Sequence, residues 1–302
     1  MMNARTFVVP VILGLALSLA PGNARRSVAA DLEIRRNIEF ARPAGIALHL
    51  DAYLQRSQRP SAAVIFVHGG GFVGGDKKEY PHDLLDRLTE NGFSIISVNY
   101  RLAPKHPFPA ATDDVEAAIA YVKKHATALR VDPRRLALLG PSAGGLIVSY
   151  VGARHRPENR VAAVVSMFGE HDLVLRASEN PCCMDGRVMP RPPGGCLSGG
   201  LAALLGFSEI KTPEQEERLR EASAVSYVQR NMPPYLLIHG TRDYGVPFEQ
   251  SVSMCEKMRE TGADCTLIGI VGGGHGNWQK LPQWAKERQH MVCWLLEKTT
   301  VH

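Results

Sequence analysis

The sequence has no apolar run long enough to cross a bilayer. Its longest, Phe7 to Ala20, would reach only ~21 Å as a helix, against a hydrocarbon core of ~30 Å. It also has no lysine block and no basic tract interleaved with aromatics. The 35 Lys and Arg are interspersed with 30 Asp and Glu for a net charge of +5, so a nucleic-acid partner has no support. CxxC, HExxH and any His/Cys cluster with zinc-ligand spacing are missing, and no metal is expected. Glycine (28) and proline (20) are plentiful, yet they show no G-X-Y period, repeat or low-complexity linker. That excludes a collagen-like chain and points to many tight turns. With 45% hydrophobic and 22% charged residues in 302, the chain has ordinary globular composition. The length suits one large α/β domain as well as two smaller ones.

Arg5, the short apolar run and the small residues after it match a secretory signal peptide. Cleavage after Ala24 or after Ala30 would satisfy the small-residue rule, leaving residues 31–302 as the mature domain without a membrane span. The expected location is therefore outside the cytoplasm. All six cysteines (182, 183, 196, 255, 265 and 293) follow this leader, and their even number permits disulfides. A bridge from Cys182 or Cys183 to Cys196 is expected, since it would restrain a Pro/Gly-rich loop with no core of its own. Cys255 shares an apolar helical stripe with Val252 and Met258 and reads as a buried thiol.

Residues 46–54 alternate enough for an edge strand. Ala62–Val67, Phe93–Val98, Leu136–Leu139, Ala162–Phe168, Tyr235–Ile238 and Thr266–Ile270 are continuous apolar runs, the pattern of strands buried on both faces. Amphipathic helices are predicted over 111–126, 143–151, 248–261 and 282–297. Strands alternating with helices imply a mostly parallel sheet covered on both faces. The stretch from about 171 to 230 breaks this rhythm and reads as a lid-like insertion at the edge of the site.

The strand Leu136–Leu139 runs into Gly140-Pro141-Ser142-Ala143-Gly144, a G-x-S-x-G motif between strand and helix. The serine must occupy a sharp, strained turn, so its neighbours at ±2 must be small. The turn lifts the Ser142 hydroxyl above the sheet, beside the free N–H groups of a helix start. A second box, His68-Gly69-Gly70-Gly71-Phe72, follows strand Ala62–Val67. Glycines there let backbone N–H groups approach the oxygen that turns negative in acyl transfer. Gly69-x-Gly71-x-x-Gly74 also fits a dinucleotide fingerprint. The next strand ends Ser97-Val98-Asn99 without the acid such a site requires, so no cofactor is expected. Asp243 and His275 lie in loops after two further buried strands, in the chain order Ser…Asp…His. In a parallel sheet these strand ends share one edge, so the three converge as nucleophile, base and orienting acid.

These residues resemble an α/β-hydrolase serine esterase of the hormone-sensitive-lipase-like and feruloyl/acetyl-esterase-like branch. His68–Phe72 is similar to its HGGG box and Asn99–Pro104 to its YRLAP segment. Asp132–Arg135 and Gly240-x-x-Asp243-x-x-Val246-Pro247 match too. The resemblance covers roughly residues 45–298. It implies Ser142 as nucleophile, His275 as general base and Asp243 as orienter, with the N–H groups of Gly70, Gly71 and Ala143 as oxyanion donors. Pro141 replaces the acid usual in the lipase-like branch, and Leu146 the histidine usual in the feruloyl-esterase-like one. The implied substrate is a small or carbohydrate-linked ester of a short-chain or hydroxycinnamic acid. A peptidase or amidase would use the same triad, and a non-catalytic binding protein could use the same scaffold. Phe72, His171 and Trp278 are the expected pocket residues. His68 and His239 read as structural.

Overall fold

The computed structural model describes residues 32–301 apart from 80, 179–181, 185–186, 190–196 and 279. The leader and the expected bridge to Cys196 lie outside the described residues. In chain order the elements are β1 (Leu32–Ala41), β2 (Leu48–Gln55), β3 (Ser61–Val67), α1 (His82–Glu90), β4 (Ser94–Val98), α2 (Ala110–Lys124) and α3 (Ala126–Leu129). Then come β5 (Val131–Pro141), α4 (Ala143–Arg154), β6 (Ala163–Met167), α5 (Leu173–Ser178), β7 (Cys182–Met184), β8 (Arg187–Met189), α6 (Gly199–Leu205) and α7 (Pro213–Ala222). The chain finishes with β9 (Tyr235–Gly240), α8 (Glu249–Glu260), β10 (Cys265–Ile270) and α9 (Pro282–Lys298).

Each apolar run predicted as a doubly buried strand sits inside one sheet, ordered β1-β2-β4-β3-β5-β6-β9-β10. From β4 to β10 all neighbours are parallel, whereas β1 and β2 run antiparallel at one side. Along β3, Ala63, Ile65 and Val67 enter one core, and Ala62, Val64 and Phe66 the other. This alternation explains why no polar residue interrupts the run: both faces are covered by helices. The first core includes residues of α2, α4, α6, α7 and α8; α1 and α9 close the second.

Two expectations are corrected. The 46–54 segment is not an edge, because β1 pairs along β2 and takes the outer position. Within the lid-like insertion, Leu201, Leu204, Leu205, Leu219 and Ala222 are buried in the first core. Their i, i+3, i+4 spacing in α6 is short and follows two glycines, so its periodicity is hard to separate from the loop before it. Finally, Cys255 is buried but not a thiol; it forms a disulfide with Cys265, with Cα atoms 5.5 Å apart, joining α8 to the start of β10.

Candidate active site

Ser142 stands between β5 and α4 with φ 52° and ψ −120°. Such a backbone is strained for an L-residue and persists only where its surroundings over-determine it. A Cβ on Gly144 would run into the Val67 carbonyl, and one on Gly140 into the Gly144 backbone. Strand and helix can therefore meet only with glycine at both positions. Ser142 N–H donates to Met167 O at 2.9 Å, and Leu146 N–H to Ser142 O at 3.1 Å, which ties the turn to β6 and to the helix.

The turn aims the hydroxyl at His275. Ser142 Oγ is 2.9 Å from His275 Nε2, and His275 Nδ1 is 2.7 Å from Asp243 Oδ2. A carboxylate only accepts, so Nδ1 carries the proton and Nε2 is left to accept from the serine. The Asp243 and His275 loops are laced together, with Arg242 N–H donating to Gly273 O at 2.9 Å. Phe168 presents its ring edge-on to His275 at 4.7 Å between centroids.

The Asp243 side chain is wholly buried, whereas that of His275 is 36% exposed. Burial alone would push the acid up. Hydrogen bonds from His239 and His275 and from the Val246 N–H outweigh it and hold Asp243 far below the usual carboxylate range. Its Oδ1 accepts from the N–H groups of Gly245 and Val246 at 2.8 and 2.9 Å. An ionised acid, an imidazole and a hydroxyl thus stand in line, the order that general-base activation of a nucleophile requires.

The glycine loop leaves β3 beside this turn, and a Cβ on Gly69 would lie 3.6 Å from Ser142 Cβ. Tyr100 Oη donates to His68 O and Gly69 O at 3.0 and 3.1 Å, and its ring stacks on His68 at 4.3 Å. His68 Nδ1–H donates to the same Gly69 carbonyl at 2.8 Å. Burial lowers the His68 pKa, in keeping with a neutral support for the loop. The Gly70 carbonyl accepts from Val73 and Gly74 N–H. In a trans peptide the N–H points opposite the preceding C=O, so fixing these two carbonyls turns the N–H groups of Gly70 and Gly71 the other way. Ala143 opens α4, and its N–H has no acceptor within the helix.

The far end of the loop is pinned by Lys77, which is buried with Asp51 in an ion pair of 2.8 Å. Lys77 Nζ also donates to Asn37 Oδ1 of β1 at 2.9 Å, and Lys77 N–H to Asn99 Oδ1 at 2.6 Å. No motif marks this anchor, because its partners come from three separate strands or strand ends.

The expected pocket residues separate. Phe72, at φ 67°, is buried in the first core. His171 is fully buried, and neither ring nitrogen has a hydrogen-bond partner among the described residues. Its backbone N–H donates to Gln250 of α8 at 3.0 Å. Trp278 lines a cavity of about 190 Å³ together with Phe168, Trp284, Pro141 and Gly276, the last two being chain neighbours of Ser142 and His275. Gly200 of the insertion approaches the Gly71 carbonyl so closely that a side chain there would collide with it. Among the described residues no group of three or more His, Cys, Asp or Glu is arranged to hold a metal ion, and no helix is long and apolar enough to cross a membrane.

This geometry agrees with what the chain resembles. Esterase LipC of Mycobacterium tuberculosis is 30% identical over 235 residues, covering 72% of this chain and 53% of that protein. A probable isoprenylcysteine alpha-carbonyl methylesterase of Arabidopsis thaliana is 28% identical over 246 residues, covering 75% and 48%. The chain spans about half the length of these curated relatives. Among solved structures, a truncated carbohydrate esterase from gut microbiota superimposes with a TM-score of 0.74 at 25% identity, over 89% of this chain and 97% of that one. The butyrate-bound Est2 esterase of Thermogutta terrifontis gives 0.67 at 20% identity, over 89% and 95%, and shares the fold. The BD-FAE family profile matches residues 50–258, and the chain therefore belongs to the BD-FAE family of α/β-hydrolases.

Proposed function

We propose that this protein is a serine carboxylic-ester hydrolase that works through an acyl-enzyme. The observation that carries the reading is the unbroken relay from Ser142 Oγ through His275 to a buried, ionised Asp243. Ser142 attacks the ester carbonyl and His275 takes its proton. The N–H groups of Gly70, Gly71 and Ala143 receive the oxyanion, and His275 returns the proton to the leaving alcohol. Water then repeats these steps to release the acid. No group outside the chain enters the scheme.

For the acyl group the reading is a short-chain or hydroxycinnamoyl ester, carried in nature on a polysaccharide. The cavity beside Pro141 and Gly276 supports it, being small and walled by Phe66, Phe168, Trp278 and Trp284. Such walls favour a flat aromatic or a short aliphatic group over a long chain. Export through residues 1–24 belongs to the same proposal, and the Cys255–Cys265 disulfide is in keeping with an oxidising compartment.

Turnover of p-nitrophenyl acetate by wild type and Ser142→Ala tests the mechanism, with an expected loss of about four orders of magnitude or more in kcat. Equal rates would overturn it. An acyl-length series run beside methyl hydroxycinnamates, acetylated xylan and matched amides tests the substrate. A preference for octanoyl or longer esters, or equal amide turnover, would overturn that part.

A further inference from the structure

A second histidine stands on the acid of the relay. His239 lies in β9, four residues before Asp243, and is fully buried. Its Nε2 is 2.9 Å from Val246 O and 3.4 Å from Asp243 Oδ2, and its Nδ1 is 2.8 Å from Ser251 Oγ. A carbonyl has no proton to offer, so Nε2 carries the hydrogen, while Nδ1 pairs with the Ser251 hydroxyl. The Nε2–H is thereby shared between Val246 O and the same carboxylate oxygen that holds His275.

We propose that His239 is a positioning residue of the hydrolysis, whose Nε2–H stabilises the negative charge of the Asp243–His275 pair; this rests on the triad reading above. The pair takes up its next proton jointly, so its titration belongs to both groups. A donor that stabilises the net negative form makes that proton harder to add. Removing the donor makes proton uptake easier, and the acidic limb of the rate profile must then move to higher pH.

The surroundings keep this effect specific. His171 faces His239 from the segment after β6 and is itself held neutral by burial and by the neighbouring His239. On α8, the Ser251 hydroxyl pairs with Nδ1, while Gln250 accepts from the His171 N–H at 3.0 Å. The Phe248 ring packs edge-on against His239 at 5.7 Å. The Arg176 guanidinium, paired with Glu170 at 3.9 Å, donates to the Gly245 carbonyl of the loop at 3.1 Å. Asp243 is thus the anion that the His239 N–H addresses, and His275 is the base that shares it.

The experiment is the pH dependence of kcat/KM and kcat for wild type, His239→Leu, His239→Asn and His239→Gln on p-nitrophenyl acetate. Leucine removes both polar contacts. Asparagine places its amide on the Nδ1 side, keeping a partner for Ser251 without a donor to Asp243, and provides the readout if the leucine variant does not fold. Glutamine returns an N–H near the Nε2 position. Leucine and asparagine are expected to raise the acidic limb by about half a unit or more and to lower kcat about tenfold with KM little changed, while glutamine stays near wild type. An acidic limb unmoved in the leucine and asparagine variants, or moved equally in all three, would overturn the proposal. Turnover by the wild type that persists in Ser142→Ala would instead overturn the triad reading beneath it.

Discussion

Replacing His171 with leucine removes a titration that the fold suppresses. The ring is buried, and neither nitrogen has a hydrogen-bond partner among the described residues. Burial first and the adjacent His239 second push its pKa down to about 3, from an ordinary value of 6.5. The unfolded chain protonates this histidine below about pH 6.5, whereas the folded protein keeps it neutral until about pH 3. In that window the unfolded state binds the extra proton. Stability is therefore full above pH 6.5 and is lost as pH falls, at ~1.4 kcal/mol per unit. At pH 5 this one group costs about 2 kcal/mol relative to pH 8. His68 and His155, which burial also pushes down, contribute in the same direction but remain in both proteins and cancel in the comparison. Urea midpoints of wild type and His171→Leu at pH 8 and pH 5 measure the difference. Wild type should lose about 2 kcal/mol more than the variant between those conditions. Equal losses would mean that His171 finds a proton partner in the folded protein, and the reasoning from its burial would fail.

Two further perturbations test how the loops are held. Asp51→Ala leaves Lys77 buried without its counter-ion and should destabilise the protein by about 3–5 kcal/mol, read by thermal unfolding. Replacing Lys77 by methionine in the same chain should recover much of that loss, and no recovery would refute the ion-pair account. Breaking the Cys255–Cys265 disulfide, by double serine substitution or by reductant, should cost roughly 3 kcal/mol from the entropy of a loop closed over ten residues. An unchanged unfolding midpoint under reducing conditions would deny the bond.

Much of the fold is legible in the chain because a doubly wound sheet writes itself plainly. A strand covered on both faces reads as a nearly continuous apolar run, and β3, β4, β6 and β9 are such runs; polar side chains in them such as Ser97 and Ser166 are buried and hydrogen-bonded to backbone carbonyls. The elements missed are those whose place is set from outside. Four of the ten residues of β1, LEIRRNIEFA, are charged. It joins the sheet through contacts such as Asn37 N–H to Asp51 at 2.8 Å and Arg35 to Ala128 O at 2.9 Å. Helix α1 has nine residues and no side chain capping its start. Without length or cap, its apolar stripe resembles a loop with a few leucines.

The same physics divides the site. Ser142 and its glycines are readable because a sharp turn imposes demands within two residues: Gly140 and Gly144 are required by contacts that any reader of the motif can infer. Asp243 and His275 are readable because parallel strands deliver their loops to one edge. A pocket wall obeys neither rule. Whether a side chain after a strand end points up into the site or down into a core depends on one backbone angle. Phe72, at φ 67°, is buried in the first core, although it directly follows the glycines of the loop. Groups that hold the chemistry in place are harder still. Tyr100 on Gly69, Lys77 on Asp51 and His239 on Asp243 each act through a buried hydrogen bond or ion pair. Sequence spacing carries no information about such a bond, because a single N–H or ammonium serves any acceptor the fold brings within 3 Å or so. Those contacts decide the charge of Asp243 and the direction of the glycine N–H groups. The motif therefore specifies which atoms react, while the scattered polar contacts beneath it specify the state in which they do so.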